Sequence, residues 1–269
     1  MMNTQELIAT HGPREAMDYD FVVIGTETTG LATAIRLKQL APDASVVVLE
    51  KGSEPGAHIL SGAVMDPRAM DELFPDWKNR GAPLDQAVTV DDVLFLSETG
   101  STRTPDWLVP RNLHNDGCYV VSLSNVVKWM AQQAEALGVE IFPGFAAAEV
   151  LFDVQGCVAG VATGNMGITK EGEPGENFQL GMELRGKYTV FAEGARGHLG
   201  KQLLARYKLT EGRDTQTFAI GIKELWEVPA EKAQPGRVVH TAGWPMAGDT
   251  FGGGFLYHLA DNQVTLGFV

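Results

Sequence analysis

The run FVVIGTETTGLATAIRL, Phe21 to Leu37, places together residues suited to binding a phosphorylated nucleotide. Gly25 and Gly30 bound a short loop between an apolar segment and an amphipathic one, and Glu50 lies twenty positions after Gly30. In a strand–turn–helix the first glycine makes the tight turn and the last lets helix pack on strand. The later carboxylate accepts hydrogen bonds from an adenosine ribose, and the helix start offers free N–H groups to a diphosphate. Glu27 stands where G-x-G-x-x-G has its middle glycine. A Cβ there obstructs the approach of a diphosphate, and a glycine-only dihedral would cost more. Its charge repels as well: one pair at ~5 Å and an effective dielectric near 20 is worth about 3 kcal/mol, an upper bound of roughly a hundredfold in affinity. Thr28 and Thr29 add bulk at the helix start. The expectation is a dinucleotide scaffold with an altered phosphate turn.

No other side-chain chemistry stands out. His58, His114, His198, His240 and His258 show no metal-ligand spacing, and neither H-E-x-x-H nor a Ser/His/Asp arrangement occurs. Cys118 and Cys157 are far apart with no C-x-x-C, which argues against a metal site or a disulfide framework. Neither a catalytic side chain nor a metal ligand is assigned.

The elements that must position the turn are legible. Asp20–Gly25 reads as a buried strand, Gly30–Leu40 as a helix ended by Pro42-Asp43, and Ser45–Glu50 as a second strand, apolar throughout as in a parallel sheet covered on both faces. Residues 52–115 are rich in Gly, Pro and Asp, with a short helical piece at Pro67–Leu73. Ser124 suits an N-cap for a helix stopped by Gly138, and Val139–Phe142 reads as another parallel strand. Ala148–Thr163 reads as a hairpin around Gln155-Gly156, Lys187–Ala192 as a buried strand and His198–Leu209 as a helix. Short strands and turns follow.

The chain has 269 residues, a formal charge of −13 and 44% hydrophobic content, enough for a sizeable core. The acidic balance excludes sequence-independent nucleic-acid binding, which needs a basic surface. No apolar run reaches the ~20 residues of a membrane span, and the polar start lacks a signal peptide's apolar core. Residues 1–18 read as a flexible lead-in.

Beyond the turn, the run IRLKQLAPDASVVVLEKGSEPGAHILSGAVMDPRAMDELFPDWKNRGAPL resembles electron transfer flavoprotein–ubiquinone oxidoreductase, as do KWMAQQAEALGVEIFPGFAAAEVLF, FAEGARGHLGKQL, GIKELWEV and GWPMAGDTFGGGFLYHL. The resemblance covers Tyr19 to Val269. It implies an α/β chain, α+β overall: a Rossmann-like FAD-binding β-α-β domain with parallel sheet and hairpin insert (19–75 and 116–205), and an incomplete β-rich quinone- and membrane-side domain (76–115 and 206–269). It further implies electron passage from reduced electron transfer flavoprotein, through FAD and a 4Fe-4S cluster, to ubiquinone. The family sits peripherally on the respiratory (inner) membrane, on its cytoplasmic or matrix side. Its members extend past this chain's last residue, and their later half carries the cluster cysteines and a closing FAD segment, which are absent here. A non-catalytic remnant and a related FAD-dependent isoprenoid reductase are the competing readings.

Residue by residue, the resemblance implies that Gly25, Gly30 and Glu50 form the phosphate and ribose site, with Lys51 near the adenine or phosphates. Gly56, Ala57 and His58, with Ser61, Gly62 and Ala63, match a glycine-rich loop beside the flavin. There small residues let a flat ring lie against backbone. Glu193, Gly194 and Arg196 resemble the acid–glycine motif under the flavin pyrophosphate and ribitol. Gly252 and Gly253 match a stretch whose exposed backbone meets the quinone ring. Trp107, Leu108 and Val109 lie between prolines in TPDWLVPRN and suit a membrane interface, with Arg103 and Arg111 as partners for lipid phosphates.

Overall fold

The computed structural model describes residues 4–60 and 62–269, which divide into two compact units. The first comprises residues up to Ala57 together with Met130–Asp214, and the second His58–Trp129 together with Thr215–Val269. The divisions follow contacts rather than composition, so 58–75 and 116–129, expected in the nucleotide domain, fall in the second unit.

In the first unit a helix, α1 (Thr4–His11), precedes strand β1 (Ala16–Ile24). The lead-in is thus ordered from Thr4, and β1 begins four residues before the expected Asp20 because Ala16 already pairs with Glu183. Helix α2 (Thr28–Leu40) and strand β2 (Val46–Glu50) complete the β-α-β unit, with β1 and β2 parallel. Strands β3 (Glu140–Pro143), β4 (Ala147–Phe152), β5 (Val158–Thr163) and β6 (Glu183–Phe191) build a six-stranded sheet of order β3-β2-β1-β6-β5-β4. Pairs within β3-β2-β1-β6 are parallel, while β5 and β4 add the expected hairpin antiparallel.

Every residue of β2 is buried, as a strand covered on both faces requires. Leu31, Ala34 and Ile35 of α2 bury one side of that helix, and Leu199 and Leu203 of helix α3 (His198–Arg206) join a core with Val22, Ile24, Val47 and Leu49. Each such valine, leucine or isoleucine contributes roughly 1.5–3 kcal/mol by leaving water. The helix Leu123–Ala136 starts one residue before the expected cap: Ser122 Oγ, not Ser124, accepts from the Asn125 amide at 3.4 Å.

The second unit holds another six-stranded sheet, in which Val90–Ser97 pairs parallel with Arg237–Gly243 and every other neighbouring pair is antiparallel. Its buried centre includes Val120, Val238 and Leu259. Asp92, nearly buried, ties two strands together by accepting from Arg103 (2.6 Å) and Arg237 (3.0 Å). These guanidinium partners hold its carboxyl below the ordinary carboxylate range, Arg103 making the largest contribution.

Candidate functional site

The turn between β1 and α2 is built around two glycines that no larger residue could replace. Gly25 has φ +102°, and a Cβ on it would lie 2.5 Å from the Ala192 carbonyl oxygen at the end of β6. A Cβ on Gly30 would lie 1.9 Å from the Gly25 carbonyl oxygen. The first glycine lets the chain turn against β6, and the second lets α2 press onto that turn.

Glu27 is the N-cap residue of α2, with φ −68° and ψ 176°, ordinary extended backbone for any L-residue. The expected dihedral penalty at the missing middle glycine is therefore absent. The side chain is exposed and makes no capping hydrogen bond, so no cap from Glu27 covers the first-turn amides of α2. What remains against an anion there is the carboxylate's charge, weakened by solvent.

Glu50 ends β2 and is 8% exposed. Its Oε2 accepts from the Thr26 amide at 3.2 Å and from the Thr26 hydroxyl, while its Oε1 accepts from the Gly52 amide at 2.6 Å. Thr26 is wholly buried. Sequence reading did not single it out; the available signal was a hydroxyl residue directly after the turn glycine.

The end of β6 leads into Glu193 and Gly194. The carboxylate of Glu193 reaches forward to the start of α3, accepting from Leu199 N (3.1 Å) and Gly200 N (2.8 Å). Gly197 makes this possible, since a Cβ on it would lie 2.7 Å from the Glu193 Cβ. Glu193 thus serves as an N-terminal cap, and α3 presents an amide pair already satisfied. Gly194 (φ +78°) has open space on its Cβ side. A cavity of about 350 Å³, lined by Phe191, Glu193, Gly194, Lys201 and Leu204 among others, opens beside it.

The other expected residues are distributed as follows. In the first unit Lys51 and Ala57 are exposed and Gly56 is buried with φ +82°. Arg196 is exposed. In the second unit His58 is exposed, Ala63 opens a short strand, and Ser61 lies outside the described residues. Gly62 has φ +101°, with its Cβ position 2.2 Å from Thr265 Cγ2. Lys223 Nζ donates to the carbonyls of Leu60 (3.2 Å) and Gly62, anchoring this loop; burial lowers its pKa. Its place in GIKELWEV was part of the resemblance, but its role was not foreseen.

Gly253 pairs in both directions with Val269. Its amide donates to Val269 O (3.0 Å) and its carbonyl accepts from Val269 N (2.9 Å), so the amide is committed and the carbonyl keeps one lone pair. Small size at Gly252 and Gly253 serves close packing, with Cβ positions 2.2 Å from Val269 O and 2.0 Å from Thr241 O respectively. Trp107 is 81% exposed, Leu108 is exposed and Val109 half-buried. Arg103 beside them is occupied by Asp92 and Asp106.

A dinucleotide fits the β1–α2 turn. The glycine geometry is intact, no Glu27 cap covers the α2 amides, and a buried carboxylate stands at the end of β2. The fit is weakest at the diphosphate, beside Glu27. Among the described residues no cluster of His, Cys, Asp or Glu could hold a metal ion, and no helix is long and apolar enough to cross a membrane.

Comparison with known proteins places these features in context. Residues 23–74 match a family described as an NAD(P)-binding Rossmann-like domain, and residues 218–269 one described as ETF-QO, ubiquinone-binding. The chain is 55% identical over 262 residues to electron transfer flavoprotein-ubiquinone oxidoreductase of Pseudomonas aeruginosa, covering 95% of this chain and 48% of that one. It is 50% identical over 263 residues to the mitochondrial enzyme of Bos taurus, covering 95% and 42%. The chain spans about half the length of the curated relatives it matches. Among solved structures, a geranylgeranyl bacteriochlorophyll reductase-like protein from Thermoplasma acidophilum shares the fold, with TM-score 0.61 and 16% identity over 94% of this chain and 56% of that one. CtdE in complex with FAD gives TM-score 0.58 and 14% identity over 94% and 59%.

Proposed function

We propose that this chain, related over 95% of its length to electron transfer flavoprotein–ubiquinone oxidoreductases, is the FAD- and quinone-binding portion of such an oxidoreductase. It would act in passing electrons from reduced electron transfer flavoprotein to ubiquinone. The observation that carries this reading is the strand–turn–helix at Gly25–Gly30, with buried Glu50 at the end of β2.

Each residue has a role in holding the partners. Gly25 and Gly30 shape the turn, the first amides of α2 receive the diphosphate, and Glu50 accepts from the ribose. Lys51 offsets phosphate charge. Gly56, Ala57, His58, Ser61, Gly62 and Ala63 supply the loop beside the flavin, with Lys223 bracing the loop carbonyls. Glu193 fixes the start of α3 so that Gly194 and Arg196 meet the pyrophosphate end. Gly252 and Gly253 flank the quinone ring. FAD, when bound, supplies the electron-carrying ring, so no side chain need act as acid, base or nucleophile. The 4Fe-4S cluster implied by the family has no ligand set among the described residues, and no step is assigned to it. Trp107, Leu108 and Val109 contact the lipid surface, giving peripheral attachment to the respiratory membrane.

Titrating the purified chain with FAD, followed by visible absorption and flavin fluorescence, tests this. Saturable binding that weakens about tenfold or more in Glu50→Ala is expected, since a hydrogen bond to a charged group is lost. Protein that stays colourless in excess FAD would sink the reading and leave a non-catalytic remnant.

A further inference from the structure

We propose that Lys223 tunes the flavin through its charge: held behind the loop carbonyls of Leu60 and Gly62, its ammonium group favours the reduced, more negative form of a ring lying against that loop. The inference rests on the FAD reading above and gives Lys223 a role beyond bracing the loop.

Three observations place an uncompensated cation there. Lys223 lies on the strand Ile222–Glu227, and its Nζ donates to the carbonyls of Leu60 (3.2 Å) and Gly62, so the charge stands one hydrogen bond from the loop main chain. The loop is seated on the sheet beside it. The Cβ position of Gly62 is 2.2 Å from Thr265 Cγ2, and Thr265 pairs with Leu225, which shares a sheet face with Lys223. Among the described residues no carboxylate pairs with Lys223, and burial alone lowers its pKa, so no neighbouring charge cancels its field.

That field acts through space and needs no opening to the ring. Two-electron reduction with uptake of one proton leaves a flavin ring one unit more negative than its oxidised form, and a nearby cation stabilises that form. A ring in van der Waals contact with the loop would lie ~8 Å from Nζ. One opposite-charge pair at ~8 Å and an effective dielectric near 30 shifts an equilibrium about tenfold, which is about 30 mV for a two-electron couple. The register sets Lys223 opposite Gly267, and Gly267 opposite Phe255, so the strand leading from the quinone glycines is two strand spacings away, about 10 Å. The loop is the nearer neighbour, and the effect falls first on the flavin.

The test is the midpoint potential of FAD bound to the purified chain, read by visible absorption during anaerobic reductive titration against a reference dye. It compares the parent with Lys223→Gln, which keeps N–H donors but no charge, and Lys223→Arg, which keeps both. Lys223→Gln should lower the potential by the equivalent of about tenfold, and Lys223→Arg should stay within about twofold of the parent. Lys223→Met carries the same expectation as the glutamine should that variant lose FAD. A parent-like potential in the uncharged variant, or an equal fall in Lys223→Arg, would overturn the proposal while leaving the FAD site in place. Loss of oxidised FAD from both uncharged variants would also overturn it, since it would assign Lys223 to binding. A parent chain that takes up no FAD would remove the FAD reading and this inference with it.

Discussion

The Gly200 amide donates to Oε2 of Glu193 at 2.8 Å, and the neighbouring Leu199 amide donates to Oε1 at 3.1 Å, so one carboxylate seven residues upstream closes the start of α3. Negative charge at a helix N-terminus adds a favourable dipole interaction to the two hydrogen bonds. Glu193→Ala should therefore lower stability by about 1–2 kcal/mol in urea unfolding, and Glu193→Gln by less, since its carbonyl oxygen still accepts. Equal losses in the two variants would show that charge alone matters there.

The altered phosphate turn makes a separate prediction. Glu27 needs no glycine dihedral and is exposed, so its remaining effect on a bound diphosphate is electrostatic. In a water-like dielectric at ~5 Å that effect is about fourfold per charge pair, well under the sequence-based upper bound. Glu27→Gln should tighten FAD about fourfold at low salt, and the gain should shrink as salt is added. A gain that does not respond to salt would contradict the electrostatic account.

Two histidines of the second unit, His258 buried and His240 half-buried, set a pH dependence. His258 Nδ1 accepts from the Gln234 amide at 3.1 Å and is thus held neutral, and burial, followed by the Arg237 charge, lowers its pKa below 6.5. Burial likewise lowers His240, with Asp91 opposing the shift. The unfolded chain binds protons that the folded chain does not once pH falls below 6.5, so stability is complete above that value and declines as pH approaches the lowered folded values. The urea midpoint should fall between about pH 7.5 and about pH 5.5, and less steeply in His258→Gln. An equal slope in parent and variant would contradict this.

The exposed indole of Trp107 predicts lipid contact. Arg103 is engaged by Asp92 and Asp106, so it offers lipid phosphates less than its position in the sequence suggested. Flotation with liposomes should drop several-fold in Trp107→Ser, and should depend only weakly on anionic lipid. Unchanged flotation in the variant would remove this loop from the membrane surface.

The β-α-β unit around Gly25 and Gly30 was legible because its signals are local: a uniformly apolar strand, a helical period, and glycines at the turn. The hairpin around Gln155-Gly156 was legible for the same reason. The strand Val90–Ser97 was not, because it pairs with Arg237–Gly243, more than a hundred residues away, and its burial depends on that partner. Ser122 took the place of Ser124 as first-turn acceptor because the helix begins at Leu123, two residues before the start that a Ser124 cap implies.

The site divides in the same way. The residue types and spacing of Gly25, Gly30 and Glu50 determined by themselves that a nucleotide scaffold was present, since a tight turn and a strand-end acid are short-range requirements; Glu193 entered through the family resemblance. Only the tertiary structure decided how those acids are used. Folding brought Thr26 and Gly52 onto Glu50, turned Glu193 into a cap for α3, paired the amide and carbonyl of Gly253 with Val269, and brought Lys223 to the loop carbonyls of Leu60 and Gly62. A hydrogen bond forms where donor and acceptor come within about 3 Å; for Thr26, Lys223 and Gly253 that distance is fixed by packing between segments far apart in the chain, and for Gly52 and Glu193 by the turn that follows each strand.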